Sequence, residues 1–119
     1  MDTKAEQLKA LAKRFAIAVI RLCRTMPSTD EARIIGRQLL KSATSVAANY
    51  RAVCRSRSKA EFVAKIGVVV EEADETVFWL ELVEEGGVLP KGRVGDVLRE
   101  ANELLAIFAA SQRTARGGQ

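Results

Sequence analysis

SATSVAANYRAVCRSRSKAEF, residues 42–62, decides how this chain is read. It begins with small residues and passes into closely spaced arginines. It closes on Ser58-Lys59-Ala60-Glu61, a hydroxyl and a carboxylate at the spacing that starts a helix. At about 100° per residue, Ile35, Leu39, Val46, Tyr50 and Val53 share one side of a helix reaching into this stretch. Arg33, Arg37, Lys41, Arg51 and Arg55 share the opposite side, separated only by small residues such as Thr44 and Ala48. Between the two lies a low-relief strip of Gly36, Leu40, Ala43, Ala47 and Cys54, where a neighbouring backbone can come close.

The same periodicity extends outward to four helices. The first is expected from Lys4 to Thr25, with Leu8, Leu11, Phe15, Ala18, Leu22 and Met26 at three- and four-residue steps. The second is expected from Asp30 to Arg57. The third starts at a Ser58–Glu61 capping box and stops at Gly86-Gly87, which suits a left-handed cap. The fourth is expected from Arg93 to Gln112, with residues 113–119 a loose tail. Short connections between long helices make neighbours antiparallel, so residues 1–112 read as one all-α, up-down-up-down four-helix bundle.

The third helix has a second face. Phe62, Ile66, Val69, Val70, Ala73, Val77 and Leu80 point to the core, while Glu71, Glu75, Phe78, Trp79 and Leu82 point away. Large apolar side chains beside carboxylates on an outer face mark a protein–protein contact. Charge is divided to match. Residues 1–60 hold 13 Lys and Arg against 4 Asp and Glu, and residues 61–119 hold 6 against 11. An acidic helix with an apolar ridge and a basic helix with a shallow groove suit head-to-tail docking of subunits. Gly36, Leu40, Ala43 and Ala47 are the expected receiving strip.

The chain is poor in catalytic means. It has no histidine, which removes the commonest general base and metal ligand. Glu71 and Glu75 face outward, unlike the inward Glu-x-x-His pairs of di-metal bundles. Neither Gly86-Gly87 nor Gly92 and Gly95 precedes the Lys-Ser/Thr of a phosphate loop. No enzyme activity, cofactor, metal or small-molecule substrate is expected. Cys23 would stand about one turn from the connecting loop and Cys54 about 35 Å along the second, antiparallel helix; the pair is too far apart for a disulfide, and both read as small packing residues. No run of apolar residues is long enough to span a membrane. Phe15–Ile20, flanked by Arg14 and Arg21, is too short for a secretory leader, so the expected location is the cytoplasm.

Ser45-Val46-Ala47-Ala48-Asn49-Tyr50-Arg51, then Arg57-Ser58-Lys59-Ala60-Glu61-Phe62, Glu75 and Trp79-Leu80, also carry a likeness. With them the chain resembles the small bacterial four-helix-bundle proteins called the 23S rRNA intervening-sequence protein family. The resemblance implies a homo-oligomer, a pentameric ring in particular. It also implies kinship with the accessory proteins of diversity-generating retroelements, basic rings that work with a reverse transcriptase and nucleic acid. Where many relatives have an acidic residue and a glycine after the asparagine, this chain has Ala52 and Val53. Asn49, at the core's edge, is read as an inter-helix hydrogen bond. Arg57 is read as a partner for Glu61 or Glu75.

Two functional readings stand side by side. In one, an oligomer holds RNA or DNA backbone on Arg33, Arg37, Lys41, Arg51 and Arg55, with Lys13, Arg14, Arg21 and Arg24 in support. In the other, the charge division serves ring assembly alone and the protein is an interaction scaffold.

Overall fold

A computed structural model describes residues 3–117. Four helices account for most of it: α1 (Lys4–Cys23), α2 (Asp30–Val53), α3 (Lys59–Glu85) and α4 (Lys91–Gly117). The first three starts have a local cause. Thr3 and Glu6 form a reciprocal capping box at α1, and the Thr29 hydroxyl accepts from Ala32 N at 3.2 Å at α2. Asp30 and Glu31 add negative charge where the α2 dipole is positive.

At α3 the expected capping box forms by half. Ser58 Oγ accepts from Glu61 N at 3.0 Å, but the Glu61 carboxylate turns to Lys65 Nζ, also at 3.0 Å. Lys65 foremost, with help from the Arg57 backbone N–H, holds the Glu61 carboxyl below its ordinary range. The other end of α3 closes as a Schellman motif. Val88 N donates to Val83 O and Gly87 N to Glu84 O, with Gly87 at φ +70°, a conformation that favours glycine.

α1 ends at Cys23 and α4 starts at Lys91, each two residues earlier than expected, and two other boundaries differ by more. α2 ends at Val53 rather than Arg57, because the chain must reverse before the Ser58 cap; Arg55 N and Ser56 N close short turns onto Ala52 O and Val53 O. α4 runs past Gln112 to Gly117, so most of the expected loose tail is helix. Gln112 lies over Gly67 of α3, and Ala115 shares a cavity wall with Lys59 and Ala60 at the start of α3. Residues 118–119 of that tail fall outside the described residues.

Helices adjacent in sequence pack side by side, and α4 returns to α1 along the loosest seam of the bundle. The centre is filled by Val19, Leu39, Val46, Ile66, Leu80 and Phe108. Tyr50 and Phe108 reach across the diagonal, ring centroids 5.2 Å apart. One buried polar contact joins α2 to α3: Thr76 Oγ1 lies 3.0 Å from Ser42 Oγ. Each hydroxyl also meets a carbonyl of its own helix, Leu39 O at 3.1 Å and Glu72 O at 2.8 Å. Two hydroxyl protons thus serve three oxygen–oxygen contacts.

Small residues set how closely the helices approach. In α1 the buried line is Ala12, Phe15, Ala16, Val19 and Leu22. Leu11, expected in the core, is displaced to the open α1–α4 side and stays 38% exposed.

Candidate functional surfaces

The basic stripe is present. Arg33, Arg37, Lys41 and Arg51 are exposed along α2, and Arg55 is exposed in the connection that follows. From Arg33 to Arg51 the row spans about 27 Å at about 1.5 Å per residue. Arg33 is tied to Asp30 one turn earlier. Arg37, Lys41, Arg51 and Arg55 form no ion pair among the described residues. Thr44, within the row, turns its hydroxyl back to Leu40 O at 2.8 Å. Lys41 stands where the stripe meets α3. The Glu72 carboxyl there is pushed above its ordinary range by burial foremost, then by Glu75 and Glu71, with Lys41 pulling the other way.

The outer face of α3 carries the expected contact residues. Glu71, Glu75 and Phe78 are exposed, and Trp79 and Leu82 are half-buried. Phe78 meets Trp79 edge-on at 5.0 Å, and Trp79 Nε1 donates to Glu75 Oε2 at 3.3 Å. Val68, 44% exposed, extends the patch and was not foreseen. Its signal was legible nonetheless. Val68, Glu71, Glu75, Phe78 and Leu82 recur at alternating steps of three and four, the spacing of a coiled-coil seam. α3 therefore presents one seam to its own core and a second to the outside.

Half of the receiving strip expected on α2 is inside the bundle. Ala43 is fully buried, and a Cβ on the buried Gly36 would meet Met26 Sδ at 3.2 Å. Neither offers surface to a second subunit; the small side chains are used for packing within the chain. Ala47 is half-buried and Leu40 exposed. Around Leu40, with Met26, Arg33 and Arg37, remains a depression of about 350 Å³.

A larger groove, about 690 Å³, opens where the start of α1, the start of α3 and the end of α4 converge. Leu8, Leu11, Phe62, Ile107 and Ala110 wall it, with Lys4 at the rim. Sequence periodicity assigned Leu8, Leu11 and Phe62 to the core, so this opening went unseen.

The residues read as structural are placed differently from expectation. Asn49 is half-buried and makes no side-chain hydrogen bond within the described residues; the inter-helix link lies instead at Ser42–Thr76. Arg57 is exposed and pairs with neither the Glu61 nor the Glu75 carboxylate. Cys23 packs with Sγ 3.8 Å from Gly36 O, its thiol pKa pushed up by burial, whereas Cys54 is exposed rather than packed. Among the described residues no three His, Cys, Asp or Glu side chains gather to hold a metal, and no helix is long and apolar enough to cross a membrane.

Comparison with known proteins bears on the fold most directly. The family model described as 23S rRNA-intervening sequence protein matches residues 5–110. A crystal structure of a protein with unknown function from the S23 ribosomal protein family of Bacteroides thetaiotaomicron is similar, at 24% identity and a TM-score of 0.82. The alignment covers 90% of this chain and 99% of that one. A comparison with curated proteins gave no match.

Proposed function

We propose, for a chain that belongs to the 23S rRNA-intervening sequence protein family, a non-catalytic, homo-oligomeric accessory role in which α2 holds the phosphate backbone of RNA or DNA. The observation that carries this is the exposed row Arg33, Arg37, Lys41 and Arg51 with Arg55 beyond it, no carboxylate standing within the row. Such a row binds by displacing condensed counterions and reads no base sequence. No aromatic side chain stands in the row to stack on bases: Tyr50 and Phe108 are spent in the core, and the exposed Phe78 lies on α3 beside Trp79. The assembly proposed is a closed ring, with five subunits as the family resemblance implies. The ring would repeat the stripe around itself.

A second reading is favoured by the outer seam of α3. Its Glu71 and Glu75 are the sign that would neutralise the α2 stripe of a neighbour, leaving a scaffold that binds no nucleic acid. One variant separates the two. With Arg33→Glu, Arg37→Glu and Lys41→Glu combined, the first reading expects native mass and loss of RNA binding by fluorescence anisotropy. The second expects the oligomer itself to come apart. For the unaltered protein on duplex DNA, four to five phosphate contacts give a log–log salt slope of about −4. A flat salt response, or no binding at low salt, would exclude the first reading.

A further inference from the structure

We infer that the outward seam of α3 seats in the groove between α1 and α4 of a second copy of the chain, so that assembly leaves the α2 stripe uncovered. The inference rests on the homo-oligomer proposed above and identifies the surface that receives the ridge. Two orphan surfaces on one chain fit each other in shape, polarity and charge.

The ridge is helical and projects side chains at three- and four-residue steps over about 21 Å, from Val68 to Leu82. What accommodates such a ridge is a furrow between two helices. α1 and α4 supply one, being the loosest seam of the bundle. The furrow is lined by Leu11 and Ile107, left 38% and 39% exposed, while the ridge brings Phe78 at 49% and Val68 at 44%. Docking covers all four at once.

Charge agrees. The charged groups lining the wide end of the furrow are cations: Lys4, then Lys59 and Arg116 in the adjoining hollow. Carboxylates enter only further along, where Glu100 and Glu103 lie beside Arg14. The ridge brings Glu71 and Glu75 between its apolar residues, so the acidic middle of α3 meets a cationic rim. The rival site, the depression at Leu40, has about 350 Å³ against about 690 Å³, and Met26 already lies over its Gly36 floor. Ridge and furrow are different patches of one chain, so the contact is head-to-tail and propagates until rotation closes it.

Site-directed cross-linking tests this. In a background of Cys23→Ala and Cys54→Ser, Glu71→Cys is paired either with Gln7→Cys at the furrow rim or with Ser28→Cys at the edge of the rival depression. Glu71, Gln7 and Ser28 are exposed and polar, so the fold tolerates both pairs. Mass is measured first, then a short bis-maleimide is added and the products are resolved on a denaturing gel. The expected result is an oligomer in which Glu71→Cys with Gln7→Cys gives a ladder of covalent multimers, while each single variant gives none. A ladder from the Ser28→Cys pair alone would overturn the inference in favour of the α2 depression. An intact oligomer with no ladder from either pair would overturn it while leaving the homo-oligomer standing. A monomer at every concentration would overturn both.

Discussion

Phe78→Ala separates subunit contact from fold. Phe78 is 49% exposed in the single chain, whereas Leu80, two residues on, is fully buried. A phenylalanine offers roughly 150–250 Å² to burial. Covering its exposed half in an assembly removes about 100 Å², worth about 2.5 kcal/mol at about 25 cal/mol per Å². The truncation should therefore raise the dissociation constant about sixtyfold per contact. Its cost to the isolated bundle is smaller. The edge contact with Trp79 at 5.0 Å is lost, and such pairs contribute about 0.5–1.5 kcal/mol. Leu80→Ala should show the reverse, with unfolding free energy falling by about 2–5 kcal/mol. Sedimentation velocity over a concentration series reads the association, and urea unfolding at low concentration reads the fold. If Phe78→Ala leaves the mass-against-concentration curve unmoved, the outer seam of α3 is no subunit contact and the argument fails.

Two further outcomes concern the bundle itself. Gly67→Ala should stabilise the chain by about 0.5 kcal/mol, because an alanine inside a helix gains about 0.8–1.0 kcal/mol over glycine. The new Cβ would stand 3.1 Å from Gln112 Nε2, the movable end of a long side chain; a lower urea midpoint would mean that Gln112 is fixed in place. The Tyr50 phenol is pushed from its usual 10.0 up to about 12, by burial foremost and then by Cys54. The folded state thus favours the neutral phenol, and its contribution is complete below pH 10.0 and lost as pH rises through about 12. Thermal melts over that window should fall more steeply for the unaltered chain than for Tyr50→Phe; parallel curves would contradict the assignment.

How much of this was legible in the sequence can be judged residue by residue. The four helices and their order were, since Thr29, Ser58 and Gly87 act within a few residues of themselves. The extent of α2 and α4 was not. Nothing in Cys54–Arg57 breaks a helix, and only the need to reach the Ser58 cap ends α2 early. Gln112 and Ala115 continue α4 because α3 lies beneath them, which is tertiary information. The stripe was legible because long cations on one helical face have nowhere to go but solvent. Leu11 and Ala43 mark the limit. Periodicity says that a residue is apolar and on a given face, but not whether a neighbouring helix comes close enough to cover it. The small residues of α2 were read as a surface for another subunit, and the chain uses Gly36 and Ala43 on itself. The α1–α4 furrow is the mirror of that: leucines at core spacing, uncovered because the two helices stand apart.

The Ser42–Thr76 contact has a consequence for how the chain finds its register. Each hydroxyl has a carbonyl of its own helix within reach. If α2 and α3 slide past one another, both protons drop back to those carbonyls and no buried polar group is stranded. The contact is therefore a weak preference for one alignment and not a lock. A misaligned pair of helices incurs no desolvation penalty at these positions, and so forms no trap there. Alignment is left to the fit of Leu39, Val46, Val69 and Leu80, which improves gradually as the helices slide into place. Designers who replace such a pair with hydrocarbon would change the smoothness of folding more than its end point.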